Sequence, residues 1–262
     1  MPVDKATCES ASAELIERTF PHNKKVSEQY ADPQTLDYVR ALIPHEVLQL
    51  QGPHLVRGLL DWFKADFMRW LPSQMRCEFC TTKAPDGAEA GTVMQVTIEP
   101  GSTWQLRKVE RYKCPSCGAE RVYPRYSDVR KIAEYRLGRC GEWSILFGAV
   151  LNAASLRGRI VHDFLDHCWN EALVDGHWMH LDSTLQYPTF LDHPYHYERN
   201  WGKQYTFVIG FEPDTLQDVT LRYTEHWQTV LQRREKFFGL HDIQGGGRMA
   251  EENLQRLYSS IR

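Results

Sequence analysis

Seven cysteines occur in this 262-residue chain, and their spacing sorts them by the chemistry they could do. Cys77-Glu78-Phe79-Cys80 and Cys114-Pro115-Ser116-Cys117 are two Cys-x-x-Cys pairs. Such pairs let four thiolates meet around one tetrahedral ion, and zinc suits all-sulfur ligation. Residues 81–113 separate the pairs, more than a short zinc ribbon needs, so the module should carry a loop or hairpins. Four thiolates leave no open position for water, so a single ion of structural role is expected. A redox role lacks its usual context of a strand, then Trp-Cys, then a helix. Cys140, in Gly138-Arg139-Cys140-Gly141-Glu142-Trp143, stands apart. It opens an apolar run, where the free N–H groups and dipole of a helix start would favour a thiolate. A cysteine on an apolar helix is also commonly an inert core residue, and this stretch alone leaves both readings open.

A base and an orienting acid for Cys140 emerge from a hairpin. Asp175-Gly176 is a strong two-residue turn signal. Centring the turn there pairs Trp169 with Asp182, Glu171 with His180 and Leu173 with Trp178. Cys168, Ala172, Val174, Met179 and Leu181 then form a core face. His167, Trp169, Glu171, Trp178, His180 and Asp182 share the other. His167 and Asp182 become diagonal neighbours, and a one-residue slip would separate them. Cys, His and Asp in that order follow the logic of acyl transfer through a thiol nucleophile. A hydrogen-bonded polar patch without chemistry is the competing reading.

The elements that must position these residues form an α+β pattern. Apolar residues at 55, 59, 62, 63, 67 and 70 predict a helix from Leu55 to Trp70, ended by Pro72. A short helix is expected over Thr35 to Leu42. A helix apolar nearly all round is predicted from Cys140 to Leu156, buried in the domain centre, with Gly158 as its stop. Strands are expected at 92–98, 159–165, 167–174, 177–183, 205–211 and 216–222. After Glu225 the chain turns helical and charged, broken by Gly245-Gly246-Gly247.

Composition sets the class. Hydrophobic residues make up 42% and charged residues 25%, as in ordinary globular proteins. Lys and Arg number 31 against 34 acidic residues, a net charge of -3, so no basic field advertises nucleic acid or an anionic membrane. The N-terminus lacks the apolar stretch of a secretory signal, and no apolar run is long enough for a membrane helix. A reducing compartment is expected, which favours metal binding and catalysis over disulfides.

Several stretches together resemble cytoplasmic peptide:N-glycanase, of the transglutaminase-like superfamily. They are "GRCGEW", "DHCWNE" (Asp166 to Glu171), "WMHLDS" (Trp178 to Ser183), "NWGKQYTFVIGF" (Asn200 to Phe211) and "DVTLRY" (Asp218 to Tyr223). Upstream, "LLDWFKADFMRW" (Leu59 to Trp70), both Cys-x-x-Cys pairs and "YPRYSD" (Tyr123 to Asp128) are also similar, so the likeness runs over about residues 30 to 225. It implies a papain-related core, with a central buried helix on an antiparallel sheet and an inserted zinc module. It implies hydrolysis of the amide joining an N-linked glycan to asparagine of misfolded, denatured glycoproteins. Cys140 would be the nucleophile, His167 the general base and Asp182 its orienting acid. Cys77, Cys80, Cys114 and Cys117 would ligate one zinc ion, and Trp70 and Trp169 would line the substrate cleft. The likeness further implies a proteasome-linked ubiquitin-receptor shuttle as partner, a monomer, no nucleic acid or membrane, and a cytoplasmic and also nuclear location.

The expected organisation is an N-terminal helical extension at 1–50 and a catalytic core at 51–72 and 126–225. A zinc module at 73–125 and a C-terminal helical segment at 226–262 complete it. Leu185 stands where family members commonly carry an acidic residue that holds the glycan core, which puts glycan preference in question. A minimal form, without the extra domains of animal members, is expected. The alternatives are another thiol acyl-transfer enzyme of the same fold, a protease or transglutaminase, and a catalytically silent binding module.

Overall fold

The computed structural model describes residues 19–83 and 89–238. Residues 19–28 are helical (α1), followed by α2 (Pro33–Arg40), α3 (His45–Leu48) and α4 (Gly52–Trp62). Asp32 caps α2 by accepting from the Thr35 N–H, and Pro33 occupies its first position. The helix expected through Trp70 stops at Trp62. Phe63–Phe67 continue as a wider π turn, and β1 (Arg69–Trp70) follows. The periodicity misled because Phe63 and Phe67 stay buried through that turn while the chain changes direction.

β1 pairs in parallel with β7 (Leu137–Gly138), setting Trp70 opposite Gly138, two residues before Cys140. Between them lies a cysteine-bearing module. β2 (Arg76–Lys83) pairs with β3 (Glu89–Val93), and β4 (Gln95–Pro100), β5 (Leu106–Lys113) and β6 (Glu120–Tyr126) form an antiparallel meander. The strand expected over 92–98 is thus split at Met94, which turns inward onto Cys77, Tyr112 and Cys114. That cluster is too small to hold a fold without a crosslink or a metal.

After α5 (Val129–Tyr135), α6 (Cys140–Ala153) runs through the centre, buried on nearly every side. On one flank, Tyr30 packs so tightly that a Cβ on Gly148 would lie 2.5 Å from its ring. Phe20, Val26, Tyr30 and Val39, from the described part of the expected N-terminal extension, pack into the main core. On the other flank stands an antiparallel sheet. Its strands are β8 (Arg157–His162), β9 (Cys168–Val174), β10 (His177–Leu181), β11 (Ile209–Phe211) and β12 (Leu216–Asp218), in the order β10-β9-β8-β11-β12. The helix does not use Gly158 as its stop. Ser155 takes the left-handed turn at φ 64°, and Gly158 lies in β8 against Leu151.

The hairpin register matches the expected one, with Leu173 opposite Trp178 and Glu171 opposite His180. Asp175 and Gly176 both have positive φ, as this tight turn requires. The face carrying Ala172, Val174 and Leu181 packs on α6. Its reverse is also covered: α7 (His196–Trp201) and α8 (Thr220–Tyr223) bring Tyr197 and Tyr223 onto Trp169 and Val161. α9 (Trp227–Phe238) follows, anchored where buried Arg234 meets Asp218 at 2.8 Å and the Thr206 carbonyl. Gly245-Gly246-Gly247 lie outside the described residues. Among the described residues, no helix is long and apolar enough to cross a membrane.

Candidate active site

Cys140 is the first residue of α6, with its Sγ 3.8 Å from the Asp166 carbonyl oxygen. The helix start is held by Glu142, whose carboxylate accepts the Arg139 N–H at 2.9 Å. A hydrogen bond from the neighbouring Cys168 thiol lowers the Cys140 thiol well below its usual range. Burial opposes this, and the hydrogen bond and charge of His167 add to it. Cys168 moves the opposite way for the same hydrogen bond, reinforced by burial, so it stays a thiol and a donor. Cys140 is the one that carries negative charge.

His167 leads into β9 from a loop pinned by Asp163. One Asp163 oxygen accepts the N–H groups of Leu165, Asp166 and His167, the last at 3.0 Å. The other accepts from buried Lys203 at 2.8 Å, and Lys203 also pairs with Asp166. His167 Nε2 lies 2.7 Å from Asp182 Oδ2. That leaves Nδ1 as the nitrogen available to the Cys140 thiol. Burial disfavours charge on this ring, yet the Asp182 carboxylate and the Cys140 sulfur together raise it to about 10. The two shifts run in opposite directions, and both favour a thiolate–imidazolium pair.

Asp182 is fully buried, yet ionised. Burial pushes its carboxyl up, but the charge and hydrogen bond of His167, with those from Thr184 and Tyr197, together hold it well below the usual carboxylate range. The Tyr197 hydroxyl donates to Oδ2 at 2.6 Å, and the Thr184 N–H and hydroxyl donate to Oδ1 at 2.9 and 2.6 Å. A buried carboxylate so fully hydrogen-bonded is fixed in both orientation and charge.

Of the two tryptophans expected to line a cleft, the structure exposes one. Trp70 is 49% exposed, beside the strand that leads into Cys140. Trp169 is 0% exposed and packs beneath His167, 4.7 Å from the Tyr197 ring and 4.8 Å from Tyr223, so it cannot reach a substrate. The alternation of the strand was read correctly. The helical segments that cover that face come from later in the chain, and strand periodicity carries no sign of them. Trp201 was not singled out from sequence. It is 41% exposed, with its ring 5.1 Å from His167, so an exposed indole stands beside the base. Tyr197, one helical turn before it, was missed as well. Leu185 packs between the two apolar clusters and offers no charge here.

The remaining candidates also converge. The Sγ atoms of Cys77, Cys80, Cys114 and Cys117 all lie within 4.8 Å of one another, a cluster that could hold a metal ion.

Residues 97–183 match the family model described as the transglutaminase-like superfamily, and the α+β core around α6 is of that type. The peptide-N(4)-(N-acetyl-beta-glucosaminyl)asparagine amidase of Caenorhabditis elegans is 34% identical over 227 residues, covering 82% of this chain and 36% of that protein. Its Arabidopsis thaliana counterpart is 36% identical over 178 residues, covering 67% and 23%. The Homo sapiens protein is 33% identical over 186 residues, covering 70% and 27%. The chain thus spans about a third or less of the length of these relatives. With the array of Cys140, His167 and Asp182 and the four-cysteine cluster in hand, the chain belongs to the peptide-N(4)-(N-acetyl-beta-glucosaminyl)asparagine amidase family.

Proposed function

We propose that this chain hydrolyses the amide between an N-linked glycan and an asparagine side chain, leaving aspartate. The observation that carries the reading is the buried His167–Asp182 pair set against Cys140 at a helix start, in a chain of this amidase family. The Cys140 thiolate attacks the asparagine carbonyl carbon. The first-turn N–H groups of α6 are suited to stabilise the oxyanion. As the C–N bond breaks, the His167 imidazolium gives its proton to the leaving glycosylamine, leaving a thioester on Cys140. His167 then takes a proton from water, the resulting hydroxide attacks the thioester, and the thiolate departs from the new aspartate.

Trp70, beside the strand that leads into Cys140, and Trp201, beside His167, are suited to stacking on sugar or peptide. Denatured glycoproteins are the proposed substrates, because an asparagine side chain must reach a half-buried sulfur. A monomeric state, a ubiquitin-receptor shuttle partner and a cytoplasmic or nuclear location belong to the same proposal and rest on the resemblance.

We assign 73–125 as the metal module, 51–72 and 126–225 as the catalytic core, and zinc as the ion. A tetrahedron with metal–sulfur bonds near 2.3 Å has edges of about 3.8 Å. Cys77 and Cys117 Sγ are 3.6 Å apart, and Cys80 and Cys114 Sγ are 3.8 Å apart. With all four positions taken by sulfur, the ion supplies structure, and the chain's own residues carry the reaction.

Two experiments test these readings. A heat-denatured high-mannose glycoprotein treated in heavy-oxygen water should yield aspartate carrying one heavy oxygen, read by peptide mass spectrometry. Asparagine retaining a single N-acetylglucosamine, or unchanged glycopeptide, would overturn the amidase. Elemental analysis should find about one zinc per chain, and chelation should open residues 73–125 to trypsin. A zinc-free preparation with an equally resistant module would rule out zinc.

A further inference from the structure

The cysteine-bearing module and the nucleophile are joined by a buried ionic array. Arg139, the residue before Cys140, forks onto Glu110 of β5, with Nη1–Oε1 at 2.8 Å and Nη2–Oε2 at 2.9 Å. Arg139 Nη2 also donates to the Tyr112 hydroxyl at 3.0 Å, and that hydroxyl donates to Glu110 at 3.0 Å. Tyr112 packs in the same small cluster as Cys77 and Cys114. Arg139 further donates to the carbonyls of Leu71 and Pro72, where the chain enters the module. A second limb runs through Arg125 of β6, which bonds Glu110 at 2.6 Å and grips Glu142 of α6 at 2.5 and 2.9 Å. Glu142 in turn accepts the Arg139 N–H. Glu110, Arg125 and Glu142 are all buried, with Arg107 and Lys108 on the rim.

Nothing in the proposed chemistry requires these groups. They touch none of the reacting atoms, yet through Tyr112, packed with Cys77 and Cys114, they join the cysteine cluster to the nucleophile's helix by charge-assisted bonds. We propose that Glu110 is a positioning residue through which the cysteine module sets the α6 N-terminus, and so holds the Cys140 sulfur against His167 and Cys168. The module is then part of the active site's frame, and losing its metal disarms the nucleophile at a distance. This rests on Cys140 being the nucleophile, but its test needs no glycan and stands apart from the amidase assay.

Charge and position predict opposite signs. Replacing Glu110 by glutamine leaves the neighbourhood more positive, which on charge alone would favour the thiolate and speed its alkylation. Loss of position does the reverse, because Cys140 moves off its two hydrogen-bond partners. The rate of Cys140 carbamidomethylation by iodoacetamide is read by peptide mass spectrometry across pH, below the onset of thermal unfolding. Glu110→Gln is expected to slow it about tenfold at pH 7 and to move its midpoint up towards that of a free thiol. Tyr112→Phe, which keeps the packing and removes only the hydroxyl, should slow it about threefold. Chelation of the metal-loaded wild type should reproduce the Glu110→Gln profile. Unchanged or faster alkylation in Glu110→Gln overturns the proposal. If that variant does not fold, Tyr112→Phe decides: a wild-type profile overturns the proposal, and a shifted one supports it.

Discussion

Cys140→Ala is expected to lose conversion of glycosylated asparagine to aspartate by about 10⁴-fold or more, while the protein stays folded. In the proposed mechanism the Cys140 sulfur is the one protein atom that bonds to the substrate carbon. Cys168 lies next to it, but its thiol is held protonated and fully buried, and it points no nucleophile at a bound amide. The stability cost should be small, since Cys140 is only half-buried and the His167–Asp182 pair survives its removal. The decisive comparison is wild type against Cys140→Ala and Cys168→Ala on one denatured glycoprotein, read by mass spectrometry of the site. Loss in Cys140→Ala, with an effect of only several-fold in Cys168→Ala, is the expected pattern. Undiminished conversion in Cys140→Ala would remove the mechanism.

Asp182→Asn should lower kcat by about 10⁴-fold, although the side chain changes by a single group. Asp182 accepts from His167, Tyr197 and Thr184, so an amide nitrogen placed there must face a donor. Each oxygen serves two donors, so whichever way the amide turns, two of the four donors lose their acceptor. If its nitrogen meets His167, the ring keeps its proton on Nδ1 and can no longer receive the Cys140 proton. The pH dependence carries the sign. The wild-type pair should work while His167 stays charged, so activity falls as pH rises through about 10. It also falls at low pH once the Cys140 thiolate takes up a proton.

Stability follows the same groups. His167 is raised above its ordinary value of 6.5, so its contribution is complete below that value and lost as pH climbs towards about 10. Asp182 is depressed, so its contribution is present above the ordinary carboxylate range and lost as pH falls. The stability gap between wild type and Asp182→Asn should therefore be widest between the ordinary carboxylate range and pH 6.5, at about 3 kcal/mol, and should narrow towards both extremes. Denaturant titrations across pH measure it. A gap that stays constant with pH would mean that the pair is not ionised.

The site was legible to the extent that its chemistry is local. Two Cys-x-x-Cys pairs announce a cluster that could hold a metal, because each sets two thiols within four residues of chain. An Asp-Gly turn sets the register of its hairpin, and register places His167 near Asp182 with little help from the rest of the fold. α6 was readable because an all-round apolar helix has to be central. The misreadings arose where distant segments meet. The π turn at Phe63–Phe67 kept helical spacing while ending the helix, and Gly158 marked close packing in a strand where a helix stop was expected.

By itself, the sequence determined the residue types, the hairpin register and the division of cysteines between a cluster and a helix start. Each follows from spacing over a few residues. Only the tertiary structure decided that Trp169 is buried and Trp201 exposed, that Tyr197 and Thr184 hold Asp182, and that Glu110 reaches Arg139. Burial and ion pairing depend on what packs against a residue from elsewhere in the chain, and periodicity within one segment cannot specify that.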